Sequence, residues 1–230
     1  MKNNDLSYFM DKERVFREIW STINVKGKVI VDFGIGESTE FLIKLGAKVI
    51  GVDNDIGKIV KYSRLNIPLI KCDILEFPFK TRVADVSIFS FILHEINPKH
   101  HVNAIRIARK ISFEIVVIEP SPKGCKAYAE YAKLWREAMR NVGLFEEYRP
   151  LKYWTKLIEK GGFEILKVKV VKWKAKIPNN VLEEIFTRDA EEWRRLGVRE
   201  GYIRRLLQLL EYAKEKGMKW SNIYVIVGKR

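Results

Sequence analysis

Residues 29–38 read VIVDFGIGES, and this stretch decides the fold. A short apolar run passes through Asp32 and is followed at once by Gly34 and Gly36. Nearly continuous, β-branched apolar runs are typical of strands that are buried on both faces of a parallel sheet. Glycines directly after such a strand let the backbone approach a ligand closely. We therefore interpret this stretch as a first strand and a ligand-binding loop.

The same pattern recurs along the chain after this stretch. Helix-length segments at 38–45, 55–64 and 98–110 separate the apolar runs, as in successive β-α-β units. The order predicts an α/β fold, doubly wound, with helices on both faces of the sheet. The predicted strands occupy residues 28–34, 47–53, 67–73, 84–92, 114–120 and, at the end, 222–229.

The length of 230 residues suits one domain, so we expect a single domain over residues 1–230. Residues 1–26 form an N-terminal helical segment, with Asp11 as a candidate cap. Residues 124–149 and 178–216 are candidate helical insertions because their apolar residues recur at helical spacing. In the second insertion, Asn180 and Glu183 predict a capping box at the start of a helix.

A lysine-rich stretch precedes that second insertion. Residues 166–176 read LKVKVVKWKAK and carry five lysines. We interpret them as one long strand with a bulge at Val170 and Val171, because lysines and bulges protect the edge of a sheet from pairing with other chains. A phosphate-binding ribbon is the alternative.

Composition limits the classes of function. The net charge of +14 would attract nucleic acid, although charge alone defines no site. The first ten residues lack the apolar core of a signal peptide, and no apolar run approaches the roughly 20 residues of a membrane span, so we expect a cytoplasmic protein. Cys72 and Cys125 are expected to be reduced, and the three histidines lack metal-ligand spacing, so no metal is expected. Abundant charge beside one glutamine is a thermophile-like composition.

Acidic residues lie at the ends of four predicted strands. In open α/β sheets, ligands bind outside the carboxyl ends of the strands, so these acids are expected to meet at one edge. Helix capping is the alternative for any one of them. The acids are Asp32, Asp53, Asp73 and Glu119.

The glycine pattern departs from that of dinucleotide-binding enzymes. Thr39 stands where the third glycine of G-x-G-x-x-G would be, and Asp32 would repel a pyrophosphate. A cationic ligand therefore suits the loop better. An NAD(P)-dependent oxidoreductase and a non-catalytic cofactor-binding protein remain alternatives.

With these motifs, the sequence resembles the class I S-adenosylmethionine-dependent methyltransferases, especially the small ubiquinone-biosynthesis-like branch. The resemblance implies a seventh strand inserted antiparallel between the fifth and sixth, so that the sixth lies at the edge of a seven-stranded sheet. It also implies S-adenosylmethionine as cofactor and S-adenosylhomocysteine as product. The residues implied to bind the cofactor are Asp32, Gly34 and Gly36 in the first loop, Asp53 and Asn54 at the ribose, Asp73 and Ile74 at the adenine, and Ser90 at the methionine.

The acceptor of the methyl group is harder to infer. His94 and Glu119 are candidate general bases, needed only if the acceptor starts protonated. The chain lacks the Asn/Asp-Pro-Pro-aromatic motif of enzymes that methylate nucleic acid bases, so a small-molecule acceptor is favoured, with tRNA or rRNA as the alternative. Tyr128, Tyr131 and Trp135, together with residues 178–216, are predicted to form a lid over the substrate. A dimer contact is the alternative role for that segment.

Overall fold

The computed structural model describes residues 3–79 and 81–230. Short 3₁₀ turns follow the third and fourth strands. None of the described helices is long and apolar enough to cross a membrane. The helices and strands are, in chain order, α1 Asn3–Trp20, β1 Val29–Phe33, α2 Glu37–Lys44, β2 Lys48–Asp53, α3 Ile56–Tyr62, β3 Leu69–Lys71, β4 Val86–Ser90, α4 His101–Ile111, β5 Glu114–Pro120, α5 Lys126–Asn141, α6 Leu151–Lys160, β6 Glu164–Val171, α7 Asn179–Arg195, α8 Glu200–Lys216 and β7 Ile223–Lys229.

The strands form one seven-stranded sheet in the order β3-β2-β1-β4-β5-β7-β6, with β7 antiparallel. β1 lies between β2 and β4 and pairs with both in parallel. The strand order therefore reverses between β1 and β4, which is the point where open α/β sheets bind ligands. The doubly wound, seven-stranded prediction is confirmed, including the antiparallel last strand and the place of β6 at the edge.

The chain folds as two compact units. The sheet unit consists of Trp20–Glu119, Pro150–Lys169 and Tyr224–Arg230. The helical unit consists of the chain up to Ile19, Pro120–Arg149 and Val170–Ile223. Compact units of this kind can belong to one domain, so a single domain over residues 1–230 stays a prediction.

Apolar side chains from strands and helices fill the core of the sheet unit. On α4, Ala104, Ile105 and Ala108 recur at helical spacing and are fully buried. On α6, Trp154 and Ile158 are also fully buried. Each large apolar side chain buried in this way contributes roughly 1.5–3 kcal/mol. This core holds the strands whose carboxyl ends carry the candidate site.

An aromatic cluster on α5 and α7 forms the centre of the helical unit. The ring of Tyr131 lies 5.2 Å from that of Phe186, and the rings of Trp135 and Trp193 are also 5.2 Å apart. The Tyr131 hydroxyl donates a hydrogen bond of 2.5 Å to Asp189 Oδ2. Burial, strengthened by the Asp189 charge, raises the pKa of Tyr131 well above its usual value.

The predicted capping box at Asn180 is wrong. α7 begins one residue earlier, at Asn179, and Pro178 occupies the cap position with no side-chain hydrogen bond. Glu183 pairs instead with Lys214 of α8, with its Oε1 at 2.7 Å from Lys214 Nζ. Glu183 therefore forms an ion pair with α8 and does not take part in capping α7.

The lysine-rich stretch does not form one long strand. β6 ends at Val171, so the change of parity at Val170 and Val171 marks the end of the strand. The next backbone groups bind α1, because the N–H groups of Lys174 and Ala175 donate to Asp11 Oδ2 at 2.7 and 2.9 Å. Asp11 therefore binds a distant loop, and sequence spacing alone does not reveal such a contact.

Candidate functional site

The glycine loop follows β1. Gly34 has a φ of +88°, a conformation that favours glycine, and its N–H donates to the Val52 carbonyl at 2.8 Å. A Cβ at Gly34 would lie 2.9 Å from Ile92 Cδ1, so a side chain there would displace Ile92 and would also be strained by the positive φ. A Cβ at Gly36 would meet no heavy atom within 4 Å. The backbone of the loop is therefore close-packed on one side and open at Gly36.

Asp32 lies fully buried inside this loop. Its Oδ2 accepts a hydrogen bond of 2.7 Å from Thr39 Oγ1, whereas its Oδ1 has no hydrogen-bond partner among the described residues. Burial raises the pKa of Asp32 to about 7, although the hydroxyls of Thr39 and Ser38 lower it in part. A cationic ligand group beside this carboxylate would favour its charged form and lower the pKa again.

Asp53 at the end of β2 holds the glycine loop in place. Its Oδ2 accepts from the Ile35 N–H at 3.0 Å, and its Oδ1 accepts from the Asp55 N–H at 2.9 Å. Lys58 Nζ lies 3.4 Å from Oδ2, and the neighbouring Asn54 is exposed. The sequence placed Asp53 at a strand end, but gave no sign that it binds the backbone of the first loop.

Asp73 follows β3 and caps the 3₁₀ turn Ile74–Glu76. Its Oδ1 accepts from the Leu75 N–H at 2.8 Å. The residue is exposed, and Ile74 beside it is half-buried. Capping, the alternative considered for these acids, thus operates at Asp73, and the predicted adenine contact stays a prediction.

The loop after β4 is bound tightly to β5. Ser90 ends the strand half-buried, and the Phe91 N–H donates to the Ile118 carbonyl at 2.8 Å. Phe91 has a φ of +56°, a conformation that large side chains rarely adopt and that is common at functional sites. No sequence pattern predicted this conformation, because the surrounding contacts impose it.

Glu119 at the end of β5 organises that loop. Its fully buried carboxylate accepts from the N–H groups of Ile92 and Leu93 at 3.2 and 2.8 Å through Oε1. Its Oε2 lies 2.6 Å from Nδ1 of the buried His94. With a neutral imidazole and an ionised carboxylate, this contact corresponds to the tautomer whose proton is on Nδ1, and Nε2 then lies 4.0 Å from Glu95 Oε1. Glu119 therefore orients His94.

His101 and two of the predicted lid residues, Tyr128 and Tyr131, make hydrogen bonds within the protein. His101 contacts the Tyr153 hydroxyl and the Ile96 carbonyl, both at 2.9 Å, and His100 is exposed. In the helical unit, Tyr128 donates to the Ser121 carbonyl at 3.3 Å. The expectations of no metal and of a lid at Tyr128, Tyr131 and Trp135 stay predictions.

Comparison by sequence finds no matching protein-family model and no matching curated protein. Solved structures do match. One is a protein from Bacillus halodurans that is provisionally described as a methyltransferase. It is 14% identical, the match covers 96% of this chain and 98% of that one, and the TM-score is 0.64. An S-adenosylmethionine-dependent methyltransferase from Archaeoglobus fulgidus is 19% identical, with coverage of 97% and 94% and a TM-score of 0.57.

A third structure was solved with ligands. It is the 1,6-didemethyltoxoflavin-N1-methyltransferase of Burkholderia thailandensis, bound to 1,6-didemethyltoxoflavin and S-adenosylhomocysteine. It is 10% identical, the match covers 99% of this chain and 79% of the Burkholderia chain, and the TM-score is 0.52. At such low identities the likeness establishes the fold, which is that of the class I S-adenosylmethionine-dependent methyltransferases.

Proposed function

We propose that this chain is an S-adenosylmethionine-dependent methyltransferase with a small-molecule acceptor, related to the ubiquinone-biosynthesis-like branch. The observation that carries the proposal is the buried Asp32 carboxylate, whose Oδ1 has no hydrogen-bond partner among the described residues and which lies beside the glycine loop. An isolated buried carboxylate is costly, and a cationic group of a ligand offsets that cost. The methionine end of S-adenosylmethionine carries such a group.

The remaining cofactor contacts follow from the ends of the neighbouring strands. Asp32 would face the ammonium group, and Gly34 and Gly36 would let the backbone approach the methionine portion together with Ser90. Asp53 and Asn54 would bind the ribose hydroxyls, and Asp73 and Ile74 would bind the adenine. When bound, the cofactor supplies a methyl group on a sulfonium, which is a good leaving group. S-adenosylhomocysteine is then the product.

The His94–Glu119 pair suits an acceptor that starts protonated. Glu119 holds the Nδ1 proton, so Nε2 is the nitrogen that would take a proton from an O–H or N–H group. We assign the base to His94 and the orienting role to Glu119. Alignment and exclusion of water would contribute the rest of the rate, because the reaction is a displacement by an acceptor lone pair.

We propose that the helical segments 124–149 and 178–216 select the acceptor. The chain passes from the sheet unit to the helical unit directly after Glu119, so the first of these segments follows that residue in the sequence. Tyr128, Tyr131 and Trp135 are the candidate side chains. A dimer contact is the competing role for the segment 178–216.

Titration calorimetry with S-adenosylhomocysteine tests the cofactor assignment. Asp32→Ala and Asp53→Ala should each weaken binding by roughly 1–3 kcal/mol, the range for loss of a charged hydrogen-bond partner. Glu164→Ala, which removes an exposed acid of β6, is the matched control and should bind normally. Unchanged affinity in both aspartate variants, or binding of NADH in place of S-adenosylhomocysteine, would contradict the proposal.

Transfer of a labelled methyl group to fractions of a cell extract tests the acceptor class. Label is expected in the small-molecule fraction and should depend on the donor. Label found in RNA would support the alternative acceptor, and the absence of transfer with intact cofactor binding would indicate a non-catalytic binding protein.

A further inference from the structure

Thr39 connects the glycine loop to the buried acid through one hydroxyl group. Thr39 Oγ1 accepts from the Gly36 N–H at 3.0 Å and donates to Asp32 Oδ2 at 2.7 Å. The residue is fully buried in the first turn of α2, and its own N–H donates to the Gly36 carbonyl at 3.1 Å. A single side chain thus determines the position of the loop backbone and the orientation of the carboxylate.

We infer that Thr39 is a positioning residue for the cofactor, whose hydroxyl orients the Asp32 carboxylate so that Oδ1 is presented to the cationic end of the ligand. This inference rests on the proposed function. Thr39 itself touches Asp32 and Gly36, and it acts on the ligand through them.

The arrangement distinguishes the two oxygens of the carboxylate. Oδ2 is occupied by the Thr39 hydroxyl, whereas Oδ1 has no hydrogen-bond partner among the described residues. A carboxylate held by one neutral donor keeps acceptor capacity on its other oxygen. A nonpolar side chain at position 39 would remove the bond to Oδ2 and leave the Ser38 hydroxyl as the remaining group that lowers the pKa of Asp32.

The electrostatic surroundings of Asp32 make the Thr39 hydroxyl important. Burial is the main cause that raises the pKa of Asp32, and the nearby charge of Asp53 raises it further. Lys58 pairs with Asp53 at 3.4 Å, and the hydroxyls of Thr39 and Ser38 are the groups that lower the pKa. Loss of the Thr39 hydroxyl should therefore raise the pKa of Asp32 and delay the formation of the charged form that attracts a cation.

The test is calorimetry of S-adenosylhomocysteine binding to Thr39→Val and Thr39→Ser over a range of pH. Thr39→Val keeps the volume and removes the hydroxyl, and we expect a loss of affinity of about tenfold, which corresponds to 1.4 kcal/mol. The pH at which binding reaches half of its maximum should move upward. Thr39→Ser keeps the hydroxyl and should restore both affinity and pH profile.

Two controls separate positioning from packing. Thr155→Val makes the same substitution on α6, where the hydroxyl bonds to the Lys152 carbonyl at 3.3 Å, and should bind as the parent protein does. In an Asp32→Asn background, Thr39→Val should cause a smaller loss than in the parent, because the part of its effect that acts through the Asp32 carboxylate is already gone.

The outcomes for the inference and for the proposed function differ. If the parent protein does not bind S-adenosylhomocysteine, the proposed function fails. If the parent binds and Thr39→Val keeps the parental affinity and pH profile, only the inference fails. It also fails if Thr39→Ser is impaired as much as Thr39→Val, or if the losses in the Asp32→Asn background are fully additive. Should Thr39→Val not fold, the comparison of Thr39→Ser with Thr39→Ala supplies the same readouts.

Discussion

At the scale of single residues, the buried Asp32 makes the stability of the protein depend on pH. Burial raises its pKa from 3.8 to about 7, so the folded protein resists ionisation of this group. The unfolded chain ionises at a lower pH. This group therefore does not affect the free energy of unfolding in acid. The free energy of unfolding falls as the pH rises from 3.8 towards 7, and above pH 7 it is lowered by the full cost of burying the charged carboxylate.

Asp32→Asn tests this account, because it removes the buried charge and keeps the shape. The pKa shift corresponds to a cost on the order of 4 kcal/mol. We expect Asp32→Asn to raise the free energy of unfolding by about 1–4 kcal/mol near pH 8 and to change it little near pH 4. Denaturant unfolding at both pH values, without ligand, measures the effect. Destabilisation near pH 8, or an equal gain at both values, would contradict it.

At the scale of secondary-structure elements, Asp11 of α1 holds the segment that follows β6. Its Oδ2 accepts from two backbone N–H groups, those of Lys174 and Ala175, and its Oδ1 accepts from Arg14 Nε at 2.8 Å. Trp173 of this segment stacks on Tyr8 of α1, with ring centroids 5.9 Å apart. These contacts hold the segment after β6 against α1, and the lysine-rich sequence by itself does not predict them.

Asp11→Ala should lower the free energy of unfolding by about 1–3 kcal/mol at neutral pH, since it leaves two backbone donors without their acceptor. Burial by itself would raise the pKa of Asp11, but the bonds from Ala175, Lys174 and Arg14 bring it below its usual value. This contribution to stability is therefore present above pH 3.8 and is lost as the pH falls through the lowered pKa. Glu13→Ala, at an exposed position of α1, is the control. Equal unfolding midpoints for the two variants would refute the role of Asp11.

At the scale of the whole molecule, the residues assigned to the cofactor all lie within Trp20–Glu119 of the sheet unit. Hydrogen exchange should therefore slow on addition of S-adenosylhomocysteine at the glycine loop and after β2, β3 and β4. Residues 34–39, 53–55, 74–76 and 91–95 should be protected, and α7 and α8 should exchange at unchanged rates. Protection confined to α7 and α8 would show that the ligand binds elsewhere, and NADH serves as the control ligand.

Local sequence patterns by themselves determined the α/β class, the strand order along the chain and the acids at the strand ends. Buried parallel strands need continuous apolar runs, and loops that approach a ligand need glycine, so both leave local traces such as those at residues 29–38. The antiparallel last strand and the cofactor residues came from resemblance to a family, and the cofactor residues still await the binding measurements.

Only the tertiary structure decided which side chains meet. In the sequence, Thr39 stands where a glycine was expected, but in the structure its hydroxyl donates to Asp32. Asp11 was a candidate helix cap, but it binds the segment after β6. Glu119 read as a candidate base, yet it binds the backbone of the loop after β4. A hydrogen bond between distant residues depends on the packing that brings them together, and a single sequence carries no local record of that packing.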